Sequence, residues 1–161
     1  VAIQILRALT SARVIALDVN DEKLALAKEV GAHEAVLSND EAPAAIKGLT
    51  GGLGAEAVFD FVGAPATGAI AAASVALEGD VQLVGIGGGT VPVGFGATPY
   101  DAAFRAPYWG TRPELIEVFE MARRDQLHVE IETYSLDEAP KAYERLHAGE
   151  IRGRAVVLPN G

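Results

Sequence analysis

Asp18 is the first residue whose type and place could do chemistry. It closes the β-branched run Arg13–Asp18 and precedes a turn into a helix, which puts its carboxylate at the carboxyl end of a strand. A carboxylate there can accept from both hydroxyls of a ribose, and its charge would repel a phosphate on the 2′ oxygen. The same position also suits an acid that steadies the turn or caps the next helix. Asp60, inside the apolar run Ala57–Val62, is a second acid in an unusual place, and local hydrogen bonding or an interface explains it better than catalysis. The chain has no cysteine, so thiol nucleophiles, Cys-bound zinc and iron–sulfur clusters are excluded. His33, His128 and His147 lack the close spacing of a ligand pair. Gly51-Gly52-Leu53-Gly54 and Gly87-Gly88-Gly89 read as loops, because neither lies between a first strand and its helix.

The elements that must position these groups alternate in type. Arg13–Asp18 predicts a strand, Asp21–Val30 a helix stopped by Gly31, Ala35–Leu37 a short strand, and Glu41–Leu49 a helix that tolerates Pro43 in its first turn. Ala57–Val62 is a third strand, Thr67–Leu77 a small-residue helix and Asp80–Ile86 a fourth strand. Such apolar strands separated by helices imply a parallel sheet covered on both faces, and hence a doubly wound α/β fold. The Gly- and Pro-containing stretch Gly87–Pro107 is an interface strand or a ligand loop. Thr111-Arg112-Pro113-Glu114 is a capping box opening a helix to about Arg124, and Ser135-Leu136-Asp137-Glu138 repeats the device before a helix ending near His147–Gly149. His128–Tyr134 and Arg154–Leu158 complete the strands.

The 161 residues, 50% hydrophobic and 22% charged, suit one domain without repeats or linkers. A net charge of −9 opposes non-specific attraction to nucleic acid or an anionic membrane, so neither is an expected partner. No apolar run reaches the roughly 20 residues of a membrane span, and Val1–Thr10 looks like a helix tail more than a signal peptide. A cytoplasmic location is expected. No Gly-x-Gly-x-x-Gly precedes Asp18, although that fingerprint should lie about 20 residues before such an acid. The expectation is therefore a truncated sheet, without its first strand and glycine-rich loop.

In order and spacing, the segments VAIQILRAL, RVIALDVNDEKLALAKEVGAHEAV, AVFDFVGA, VQLVGI, PYWGTRPELIEV and GEIRGRAVVLP resemble the cofactor domain of zinc-dependent medium-chain alcohol dehydrogenases. PYWGTRPEL is similar to bacterial secondary-alcohol dehydrogenases of that family. The resemblance implies a Rossmann-type NAD-binding domain over residues 1–161. Asp18 matches the acid on the adenosine ribose and Lys23 a lysine supporting the same ribose. Phe61, Val62 and Gly63 match strand-end residues beside the cofactor, and Val84, Gly85 and Ile86 the segment at its nicotinamide end. Backbone groups, more than side chains, are expected to serve the ligand at both triplets. Pro107, Tyr108 and Trp109 match a segment whose backbone holds the carboxamide and whose rings border the substrate, although composition alone would put Trp109 in the core. Arg152 matches an arginine on the pyrophosphate, a role suited to a permanent charge with paired donors.

The resemblance also implies a zinc held by Cys, His and an acidic residue of a separate catalytic domain, none of it in this chain. No catalytic residue is therefore nominated here, and the chain alone is expected to be inactive. The implied substrate is a small or medium alcohol or ketone, and the implied assembly of the complete enzyme a homodimer or homotetramer. Two other functions stay open: the cofactor domain of a zinc-free NADPH quinone or enoyl reductase, against which Asp18 argues, and a non-catalytic nucleotide-binding or oligomerisation module using Thr90–Arg105 as an edge.

Overall fold

The computed structural model describes residues 1–160. Helix α1 (Ala2–Leu9) leads to strand β1 (Ile15–Asp18), α2 (Asp21–Glu29), β2 (Glu34–Leu37), α3 (Ala42–Leu49), β3 (Ala55–Asp60), α4 (Pro65–Ser74) and β4 (Val75–Leu83). Then come β5 (Ala103–Arg105), α5 (Arg112–Arg123), β6 (Ile131–Ser135), a 3-10 turn at Leu136–Glu138, α6 (Ala139–His147) and β7 (Arg154–Leu158). Every strand pair is parallel: β1 with β2, β3 with β4, β4 with β5 and β6 with β7. Parallel neighbours need crossovers, which α2, α4 and α6 supply. This is the Rossmann-like α/β architecture that the alternation predicts. It is laid out as three ladders, in the orders β1-β2, β3-β4-β5 and β6-β7.

The main departures lie around α4 and β4. The helix expected over Thr67–Leu77 starts earlier and ends earlier, at Pro65 and Ser74. Proline fits the first turn, where its missing N–H is not needed, and the Thr67 hydroxyl accepts the Ala64 N–H at 3.0 Å. Val75 turns at once into strand and pairs with Ala55, so Val75–Leu77 belong to β4. The register then jumps to Ala57 opposite Asp80, with Glu78 at φ 58° in the extra loop. Glu78 and Gly79 thus lie in an irregularity within β4 and not between a helix and a strand. β3 likewise lies earlier than expected, so Phe61 and Val62 fall in the turn beyond its end. The Gly87–Pro107 stretch contributes β5, and the last strand pair begins at Ile131 instead of His128.

The core that fixes β3, β4 and α4 is small. Ala71, Val75 and Val81 are buried together, with Val58, Leu83, Ala102 and Phe104 packed against them. Val81 is 0% exposed, so truncation removes contacts on all sides. Val81→Ala is expected to cost the whole natural protein about 2 kcal/mol of unfolding free energy, read from denaturant curves. A loss under about 0.5 kcal/mol would remove Val81 from the centre of that core.

Candidate functional site

The parallel strands deliver loops at their carboxyl ends, and the candidate residues fall on several of them. Asp18 is the last residue of β1, and its main-chain carbonyl accepts the Ser38 N–H at 2.9 Å, tying the end of β1 to the end of β2. Its Oδ1 accepts the Asn20 N–H at 3.0 Å. Asn20 caps α2 through its Oδ1, which accepts from the N–H groups of Glu22 at 2.8 Å and Lys23 at 3.2 Å. The turn-steadying role is thus real, and it engages one of the two carboxylate oxygens. Lys23 stands exposed in the first turn of α2, at the same end of that helix as Asp18.

At the end of β3 the chain turns under the control of Asp60, which is only 6% exposed. Its Oδ1 accepts the N–H groups of Val62 and Gly63, each at 2.9 Å, and its Oδ2 accepts the Thr67 hydroxyl at 2.8 Å. The Asp60 carbonyl accepts from the N–H groups of Val84 at 2.8 Å and Gly85 at 2.9 Å. Gly87 N–H then donates to the Val62 carbonyl and Gly89 N–H to the Gly63 carbonyl. The two loops touch backbone to backbone. A Cβ on Gly63, whose φ is 69°, would lie 2.1 Å from the Gly85 carbonyl oxygen, so no other residue fits without moving the chain. Between them opens a cleft of about 230 Å³ lined by Asp60, Gly63, Gly85, Ile86, Gly88 and Gly89, among others.

This arrangement changes what the two triplets can offer. The N–H groups of Val62, Gly63, Val84 and Gly85 are already used inside the protein, and so are the carbonyls of Val62 and Gly63. The outward surface of the two triplets includes the side chains of Phe61, Val62, Val84 and Ile86, Ile86 being 98% exposed. Pro107, Tyr108 and Trp109 follow β5, the two rings meeting edge-on at 5.2 Å. Trp109 is 78% exposed, so the composition-based placement in the core is wrong.

Arg152 is not brought to Asp18. Its guanidinium pairs with Glu29 at 3.2 Å, at the last residue of α2, and a nine-residue helix is about 13 Å long. Its backbone N–H donates to Glu132 Oε1 at 2.9 Å. Two residues on, the Arg154 guanidinium donates to the Gly153 carbonyl at 3.2 Å.

Glu132 organises the strand pair next to Arg152. The Arg152 N–H, the Tyr134 hydroxyl at 2.9 Å and the Arg145 guanidinium all donate to its carboxylate. These bonds, the Arg152 N–H first, hold the Glu132 carboxyl below its ordinary pKa. The phenol of Tyr134 is pushed up, first by burial and then by its bond to Glu132. A carboxyl with a lowered folded pKa stabilises the fold above its unfolded pKa of about 4.3, and that stability is lost as pH falls through the folded value. Glu132→Gln is therefore expected to lower the unfolding midpoint near neutrality and to flatten its fall below about pH 4.3 in melts recorded from neutral to acid pH. An unchanged acid limb would show that Glu132 does not carry this dependence.

Residues 1–122 match the zinc-binding dehydrogenase family, which leaves β6, α6 and β7 outside the matched region. The chain is 31% identical over 160 residues to an NAD-dependent alcohol dehydrogenase of Sulfolobus acidocaldarius, covering 98% of this chain and 46% of that protein. The alcohol dehydrogenase of the archaeon Aeropyrum pernix superposes with a TM-score of 0.89 at 34% identity, over 98% of this chain and 46% of its own. A quinone oxidoreductase of Pseudomonas syringae superposes with a TM-score of 0.83 at 29% identity, over 98% of this chain and 52% of its own. The chain thus spans about half the length of these relatives.

Proposed function

This chain belongs to the zinc-binding dehydrogenase family, and we propose that it is the dinucleotide-binding portion of an oxidoreductase that moves a hydride between NAD(H) and a small or medium alcohol or ketone. The observation that carries the reading is Asp18: a carboxylate at the carboxyl end of β1, one oxygen spent on the turn, beside the capped amino end of α2. The free oxygen can accept from ribose hydroxyls, and Lys23 can steady the same ribose from the first turn of α2. When bound, the nicotinamide supplies the hydride chemistry. The chain's own residues bind, orient and exclude water. Phe61, Val62, Gly63, Val84, Gly85 and Ile86 give an apolar edge beside the cleft, against which a flat ring can rest. Pro107 and Trp109 would continue the cofactor edge after β5, with Tyr108 and Trp109 bordering the substrate. Arg152 is assigned to the pyrophosphate only on condition that it leaves Glu29.

The donor set does not fit a zinc. There is no cysteine, and among the described residues no group of three His, Cys, Asp or Glu side chains is placed to hold a metal. The zinc of the complete enzyme is assigned to residues outside this chain. The complete enzyme is proposed to be a cytoplasmic homodimer or homotetramer with no nucleic-acid or membrane partner. Among the described residues no helix is long and apolar enough to cross a membrane.

The likeness to a quinone oxidoreductase supports a second reading, with NADPH as the reductant. Asp18 supports the NAD reading over it, because a carboxylate at that point opposes a 2′-phosphate. In the complete enzyme Asp18→Arg is expected to shift the NAD-to-NADP ratio of kcat/KM by about tenfold or more towards NADP, measured with alcohol as substrate. An unchanged ratio would remove Asp18 from the ribose.

A further inference from the structure

We propose that Asp60 is a positioning residue of this site: its buried carboxylate and the Thr67 hydroxyl fix the turn that brings Gly63 to the cleft and leaves Phe61 and Val62 exposed beside it, an assignment that rests on the dinucleotide reading of that edge. A carboxylate placed in an apolar strand loses its water and must find donors inside the protein. Asp60 finds three. The consecutive N–H groups of Val62 and Gly63 converge on Oδ1 at 2.9 Å each, and the Thr67 hydroxyl donates to Oδ2 at 2.8 Å. Two successive N–H groups aimed at one point form the concave arrangement that elsewhere captures a free anion. Here the chain supplies its own anion, so this turn is closed to a phosphate and its conformation is set before any ligand arrives.

The consequence reaches both loops. With Gly63 held at φ 69°, the turn can lie against Gly85, whose N–H is bonded to the main-chain carbonyl of Asp60. Thr67 completes the circuit by accepting the Ala64 N–H at 3.0 Å, which joins the first turn of α4 to the carboxylate. The turn's N–H groups are thus directed inward, and the exposed side chains of Phe61 and Val62 are left outward. Both carboxylate oxygens are committed to donors of the protein itself, so Asp60 acts on a bound ligand through the turn and not by touching it. Loosening the carboxylate should let the turn sample conformations in which that apolar edge is lost, lowering affinity without removing any direct contact.

Equilibrium titration of the whole natural protein with NADH, followed by nicotinamide fluorescence, tests this on four proteins: unmodified, Asp60→Asn, Thr67→Val and Thr67→Ser. The dissociation constant, the number of sites and the unfolding midpoint are read together. Asp60→Asn keeps the volume but loses the charge, and Thr67→Val removes the hydroxyl. Each is expected to raise the dissociation constant about tenfold with the number of sites preserved. Thr67→Ser restores the hydroxyl and is expected to bind within about twofold of the unmodified protein. A structural role alone would lower the midpoint or the number of sites and leave the dissociation constant unchanged in both disruptive variants, which would overturn the proposal. Should Asp60→Asn fail to fold, the Thr67 pair decides by the same criterion. Unmodified protein without saturable NADH binding would overturn the dinucleotide reading itself, and the positioning role with it.

Discussion

The carboxylate of Asp60 is the group on which the strand-end geometry depends. Parallel strands end on one side of their sheet, but a shared side is not yet a site. The loops must also be held at fixed separation, and β3 and β4 achieve this by contact of main chain with main chain, Gly63 against Gly85. Such contact permits no side chain between the loops and demands partners for every polar group inside it. Asp60 supplies those partners twice over, through its carboxylate to Val62, Gly63 and Thr67 and through its carbonyl to Val84 and Gly85. The glycines allow the approach and the acid fixes its conformation, so neither feature suffices alone.

The alternation of apolar strands with capped helices was legible in sequence because each signal is local. Thr111 and Glu114 spell their capping box within one turn, and the helix that follows runs from Arg112 to Arg123 as expected. Asp18 was legible for the same reason, being the last residue of a β-branched run. What was not legible depends on pairing across the chain. The start of β4 at Val75 is decided by its partner Ala55 in a different element, and the loop at Glu78 takes its form from the register jump between those strands. β5 hides in a stretch rich in glycine and proline because its three residues become strand only by pairing with Asp80–Gln82.

The site residues divide in the same way. Asp18 and Lys23 lie at the same end of α2 because a single capped turn separates them. Which backbone groups of Val62, Gly63, Val84 and Gly85 have internal partners is a property of the folded turn, where the Asp60 carboxylate and carbonyl accept from their N–H groups. For Asp60 the sequence left local hydrogen bonding and an interface as alternatives, and its three partners, which are local, needed coordinates. Arg152 shows the remaining gap. Its charge is evident in sequence, whereas its partner Glu29 lies more than a hundred residues away and could not be inferred.

Charge then bears on the proposed binding of an anionic dinucleotide by a chain of net −9. The overall repulsion acts at long range, and at physiological salt the Debye length of about 8 Å screens most of it. What survives at contact distance is local. The amino end of α2 contributes peptide dipoles, and Lys23 stands in its first turn. Arg152 is different, since its guanidinium is already matched to Glu29, and an exposed pair of this kind is worth about 0–1 kcal/mol. That is small beside a charge-assisted bond to a phosphate, so the Glu29 pair is no barrier to exchange. The limit on Arg152 is reach, because its guanidinium lies at the far end of α2 from Asp18.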